Sequence, residues 1–111
     1  MFVGTNKRYP DLGPRLAEER ELREARARGP LQSLSSEQLR LRSQVLSIAP
    51  EHPPMWALAW LRFGDVDVRC HVVVKRWTPD AVGVEFEVEG ETLRCWVWQG
   101  AVTRVEGRGT A

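Results

Sequence analysis

Four glutamates at alternate positions, from Glu85 to Glu91, form the most regular pattern of chemical groups in this chain. On a β-strand, residues two apart face the same side and stand ~7 Å apart, and glycosidases use carboxylate pairs across comparable gaps. The same spacing describes a solvated acidic stripe that keeps an exposed strand soluble, and a small domain has little room for a deep substrate pocket. We interpret Glu85, Glu87 and Glu89 as such a stripe on one face of a strand.

Cysteine and histidine side chains offer a second chemistry, because Cys70, His71, Cys95 and His52 belong to the types that bind zinc. Adjacent strand residues point to opposite faces and the chain has no CxxC or HxxxH pair, so no metal site is predicted. We expect both cysteines to be buried free thiols and His71 to lie at the surface. Without a nucleophile and base at a recognisable spacing, we expect no cofactor, no small-molecule substrate and no enzymatic activity.

The five tryptophans all lie in the second half of the chain, several of them close to arginine. If the apolar residues of strand 92–98 point inward, then Arg94, Trp96 and Trp98 share its outer face. The same reasoning sends Trp60 and Arg62 outward from an earlier strand. We therefore predict a partner-binding surface on the polar side of the strands, made of Trp60, Arg62, Trp77, Arg94, Trp96 and Trp98.

Such a surface has two uses and one structural alternative. Tryptophan and arginine are favoured anchors of protein interfaces, and exposed rings also stack on the bases of single-stranded nucleic acid. Nucleic-acid binding would need a positive face opposite the glutamate stripe, built from Arg62, Arg69, Lys75, Arg76 and Arg94. Alternatively, the rings belong to a core beneath an apolar lid from the first half of the chain, supplied by Leu31, Leu34, Leu39, Val45, Leu46 and Ile48.

The elements that would position these residues are short strands with turns between them. Apolar residues alternate with polar ones over 66–75 and 82–89, and Gly, Pro and Asp mark the turns. The pattern predicts strands near 55–63, 66–77, 81–89, 92–98 and 101–106. Five hairpin-linked strands with a short Gln99-Gly100 step before the last resemble an SH3-like or Sm-like small barrel. We expect a mainly β fold with an α-helical N-terminal extension (α+β), its five antiparallel strands closing into a barrel.

The first half of the chain reads as an extension of that barrel. Pro14 and the helix formers that follow predict a helix over 15–28 that ends at Gly29-Pro30. Its apolar face is thin, so we expect it to project into solvent or to dock on a partner. A capping box at Ser35 predicts a helical turn near 36–43, and residues 1–13, with the basic stretch 6–10, read as an extended arm. We thus divide the chain into an arm and helical extension, 1–54, and a barrel, 55–111.

The composition is that of a single soluble domain of 111 residues with a net charge of +1. The halves before and after residue 54 carry +2 (nine cations, seven acids) and −1 (seven cations, eight acids), so neither is strongly basic. No apolar run has the length of a signal peptide or membrane span, and two cysteines suit a reducing compartment, so we expect a cytoplasmic location. We predict an interaction module for a protein partner or for itself. The alternative is a barrel that binds single-stranded nucleic acid.

Overall fold

The computed structural model describes residues 12–107, and the basic stretch 6–10 lies outside them. The protein is mainly β, and its strands show the alternating burial that the sequence pattern predicts. Its one long helix is rich in strong helix formers. The elements are α1 (Leu12–Arg26), α2 (Ser36–Leu39), β1 (Ser47–Ile48), β2 (Met55–Phe63), β3 (Val66–Trp77), β4 (Ala81–Val88), β5 (Glu91–Trp98), a 3₁₀ turn (Gln99–Ala101) and β6 (Val102–Arg104).

The strands form one antiparallel sheet in the order β5-β4-β3-β2-β6, with β1 paired to the end of β3. The five predicted strands are confirmed, although β6 is shorter than predicted, and β1 was not predicted. Closure into a barrel was predicted wrongly, because β5 and β6 do not pair with each other in the described part of the chain. The sheet is open at these two strands.

The core lies on the inner face of the sheet, where every second residue is buried from Ala57 to Phe63 in β2 and from Val68 to Val74 in β3, as the period of two requires. Phe63 and Phe86 meet there edge to face, with ring centroids 6.3 Å apart, the arrangement that the aromatic quadrupole favours. Removing an aliphatic side chain of this core, such as Leu61, would cost about 2–5 kcal/mol.

The helix α1 packs where β3 and β4 separate, since these strands pair only over their Val73–Trp77 and Val82–Glu85 stretches. Leu22 and Ala25 of the helix are buried in the same core cluster as the strands. The expectation of a helix projecting into solvent is therefore wrong. A thin apolar face suffices, because two side chains fill the gap between the strands and polar contacts hold the rest of the helix.

After α1 the chain forms a strap, residues 31–34, across the open part of the sheet. At one side, the backbone N–H of Gln32 donates to the carbonyl of Arg62 at the end of β2 (2.8 Å). At the other side, Leu34 N–H donates to Trp96 O (3.0 Å), and Ser33 Oγ accepts from Trp96 N–H (2.9 Å). These bonds protect part of the free edge of β5, which would otherwise be open to pairing with another chain.

The capping box predicted at the start of α2 is confirmed. Ser35 Oγ accepts from Gln38 N–H (3.2 Å), and the Gln38 side chain accepts from Ser35 N–H (2.9 Å). The helix ends earlier than the predicted 36–43, because Arg40 adopts a left-handed conformation (φ 48°) directly after it.

Candidate interaction surfaces

The outer face of the β2–β3 hairpin carries the first group of predicted residues. Trp60 lies directly opposite Arg69, and Arg62 directly opposite Asp67. The Trp60 side chain is 52% exposed, while Arg62 Nη1 bonds Asp67 Oδ1 at 3.1 Å. A groove of about 460 Å³ between this hairpin and α1 has both acidic and basic side chains in its lining. We call Trp60, Arg62, Asp67 and Arg69 the hairpin surface.

The second group surrounds a groove on the outer face of β3, β4 and β5. We call it the basic groove and define it by Lys75, Arg76, Gly83, Arg94 and Trp96; its volume is about 430 Å³. Gly83 has no side chain, and the Trp96 ring lies over it: a Cβ at 83 would be 3.3 Å from two ring atoms and 3.2 Å from Arg76 Cγ. The glycine thus lets the indole lie close to the sheet.

Trp98 and Trp77 lie beside this groove but on different faces. Trp98 pairs with Ala81 at the end of β5 and is 46% exposed. Trp77, predicted on the polar face, instead packs against the core. A register shift between Val74 and Arg76 places an extra residue in β3. The side chains after this bulge therefore point to the opposite face from the one that strict alternation predicts.

The hairpin surface and the basic groove are separate surfaces. Trp56, Glu85 and Arg94 lie in one cross-strand row. From that row Trp60 is four residues away in one direction and Trp96 two residues away in the other, which sums to about 20 Å along the strands. Of the residues predicted to share one partner-binding surface, the structure places Arg94 and Trp96 together, beside Lys75 and Arg76, and separates Trp60 and Arg62 from them.

The acidic stripe contacts arginines. Glu85 Oε2 accepts from Arg94 Nε at 2.7 Å, directly across two neighbouring strands. Arg26 of α1 bonds Glu91 at 2.6 Å and Glu89 at 3.5 Å, and the hydrogen bond to Glu91 is the main cause of a raised pKa of Arg26. The positive face opposite the stripe that nucleic-acid binding would need does not include Arg94, because that arginine and Glu85 share a face.

The thiols and imidazoles do not form a common site. Cys70 and Cys95 are buried, as expected, and neither forms a disulfide bond; burial raises the pKa of Cys95 to about 11. His71 was expected at the surface but is half-buried, with its Nδ1 2.9 Å from Glu18 Oε2 of α1. Within residues 12–107, no group of three or more His, Cys, Asp or Glu side chains is arranged to hold a metal ion.

The predicted apolar lid covers the sheet only in part. Leu39 is buried, and Leu31 packs against the core. Val45 and Ile48, in contrast, are 76% and 71% exposed. Ile48 lies in a row with Arg76, Gly83 and Trp96, so it extends the basic groove rather than covering it. The sequence analysis assigned Ile48 to the lid and gave Gly83 no role in a site; the glycine within an otherwise valine-rich strand was the available signal.

No helix in the described range is long and apolar enough to cross a membrane. Comparison with known protein families, with curated proteins and with solved structures found no match to this chain.

Proposed function

We propose that this chain is a non-enzymatic interaction module that binds another protein through exposed tryptophan and arginine side chains. The observation that carries the proposal is the exposure of Trp60 and Trp98, at 52% and 46%. Tryptophan and arginine are the side chains most enriched at the energetic centres of protein interfaces. On the hairpin surface Trp60 is the anchor and Arg62 lies beside it. Trp98 lies at the end of β5, two residues beyond Trp96 of the basic groove.

The proposed architecture is SH3-like. The order β5-β4-β3-β2-β6 and the 3₁₀ turn immediately before β6 support it, with α1 added where the sheet opens. A cytoplasmic location is part of the proposal and is supported by two buried cysteines that form no disulfide bond, which suits a reducing compartment.

The experiment uses the immobilised full chain to isolate a protein partner, followed by dissociation constants for the purified pair. The informative variants are Trp60→Ser and Trp98→Ser, and the matched control is Val45→Ser, which removes another highly exposed apolar side chain. Loss of an interface anchor costs about 2 kcal/mol or more, so at least one tryptophan variant should bind ~30-fold more weakly. The control should bind within about twofold of the wild type.

Three results would overturn the proposal. The first is a partner that binds both tryptophan variants as tightly as the wild type. The second is binding of an oligo(dT) probe at low salt, with affinity falling steeply as salt rises and with no protein partner found, which would favour the nucleic-acid alternative. The third is a concentration-dependent assembly of the chain alone, measured by sedimentation, that both tryptophan variants abolish, since the partner would then be a second copy.

A further inference from the structure

Three grooves formed by the described residues differ in charge. The groove between α1 and β4 contains four glutamates and two arginines in its lining, and the groove beside the hairpin surface contains three acids and two arginines. The basic groove has three cations, Lys75, Arg76 and Arg94, and no carboxylate of the described residues lines it. It is therefore the one place among these grooves where a positive charge faces an open surface unopposed.

Two of its three cations have no ion pair among residues 12–107. Arg94 bonds Glu85 at 2.7 Å, but neither Lys75 nor Arg76 forms an ion pair with any residue that the structure describes. Arg76 is exposed, and Lys75 is half-buried beside it. Adjacent like charges repel each other, so an anionic group placed between them would be stabilised by both.

Apolar side chains lie at both ends of the row that crosses this groove. The row runs Ile48, Arg76, Gly83, Trp96 from β1 to β5. Ile48 is mostly exposed, and the half-buried Trp96 ring lies against the sheet at Gly83. A ligand that fits the whole row therefore has a negative charge near its middle and apolar groups on either side of that charge.

From this arrangement we infer that the basic groove binds an acidic segment of a protein partner, with one or two carboxylates at Lys75 and Arg76 and flanking apolar side chains against Ile48 and Trp96. The inference rests on the proposed function and names the chemistry of the partner at this surface. A peptide places a charge and an apolar side chain within neighbouring residues, which matches the spacing of the groove.

A nucleic acid fits this surface less well. Its backbone carries one charge per nucleotide, and a strand continuing along the outer face of β4 would pass Glu85 and Glu87. Its sugars and bases carry only small aliphatic groups, so they cover Ile48 less completely than a leucine side chain of a peptide does. A short acidic segment can end its run of charge before reaching these glutamates, so the limited extent of the positive surface favours a peptide.

The test uses fluorescein-labelled 12-residue peptides that alternate Asp or Glu with Leu or Phe, a matched set with Lys in place of the acids, and oligo(dT). Anisotropy is measured with the full chain at low and at physiological salt. The variant Lys75→Glu/Arg76→Glu reverses two charges in the groove. Its matched control, Arg20→Glu/Arg42→Glu, makes the same change in net charge at two exposed arginines outside the groove.

We expect an acidic peptide to bind the wild type and the control within about twofold of each other and the groove variant at least ~10-fold more weakly. The neutral variant Lys75→Gln/Arg76→Gln, which retains most of each aliphatic stem, should lose binding to a smaller degree, and circular dichroism should show all variants folded. The inference is overturned if no acidic peptide binds at low salt, if both double reversals weaken binding equally, or if oligo(dT) binds more tightly than the peptides. If one of these results is obtained and a protein partner still binds the Trp98→Ser variant more weakly than the wild type, the proposed function stands. Only the assignment of an acidic segment to the basic groove is then rejected.

Discussion

Glu18 holds His71 through both of its carboxylate oxygens: Oε1 accepts the backbone N–H of His71 at 3.1 Å, and Oε2 lies 2.9 Å from Nδ1. His71 lies in the part of β3 that does not pair with β4, so its backbone N–H has no strand partner on the β4 side. A single glutamate of α1 thereby satisfies a strand edge and attaches the helix to the sheet.

Glu18→Gln tests this attachment. The amide oxygen can replace only one of the two contacts at full strength, so we expect the free energy of unfolding to fall by about 1–2 kcal/mol. Glu21→Gln, at an exposed position of the same helix, should change it by less than about 0.5 kcal/mol. Urea denaturation of the two variants and the wild type gives the comparison, and equal midpoints for all three would show that the contact contributes nothing.

Leu22→Ala tests whether α1 is part of the core. Leu22 is 3% exposed and lies in the same cluster as Phe63 and Val68. We expect a loss of about 2–4 kcal/mol, because the substitution leaves a cavity where the helix fills the gap between β3 and β4. Leu16→Ala, which removes a leucine that is mostly exposed, is the control. A loss at Leu22 no larger than at Leu16 would mean that the helix is an appendage.

Gly29→Ala tests the close approach of two backbone segments, the turn at Gly29 before the strap and the β2–β3 turn at Gly64. A Cβ on Gly29 would be 2.6 Å from Gly64 Cα, a backbone atom that cannot move aside alone. We expect destabilisation of about 1–3 kcal/mol. Gly100→Ala has open space around it and serves as the control. A thermal melt in which both variants match the wild type would contradict the packing of these glycines.

Cys95 predicts a stability change at alkaline pH. Burial raises its pKa from 9.0 to about 11, so between those values the unfolded chain has lost the thiol proton while the folded chain retains it. Unfolding then releases a proton, and stability that is fully present below pH 9 declines up to about pH 11, by about 3 kcal/mol from this group. Chemical denaturation of wild type and Cys95→Ala across this range should show a steeper decline in the wild type. Parallel curves would exclude the contribution.

The strands could be predicted from sequence because a period of two is a local property, visible in Val66 to Val74 without knowledge of the fold. The register shift before Arg76 could not, since a bulge depends on how the whole sheet bends; the orientation of Trp77 was predicted wrongly for this reason. The attachment of α1 also escaped prediction, because Glu18 and His71 are 53 residues apart. Alternation still identified Trp60, Arg94, Trp96 and Trp98 correctly as residues outside the inner face.

The division of these residues between two surfaces is likewise a property of the assembled sheet. Trp60 and Trp96 have the same parity in their strands, and sequence alone gives no distance between them. The pairing register supplies that distance by placing Trp60 beyond Trp56 in one direction and Trp96 beyond Arg94 in the other.

Binding of a partner by the exposed tryptophans can be followed by ¹⁹F NMR of the full chain labelled with 5-fluorotryptophan, with and without the isolated partner. Each of the five resonances is assigned by a single Trp→Phe substitution, and exposure is read from the shift between H₂O and D₂O. We predict that Trp60 and Trp98 show the largest solvent shifts in the free protein and that at least one of them loses its shift on binding. Unchanged shifts at both positions in the complex would show that the partner binds elsewhere and would contradict the account.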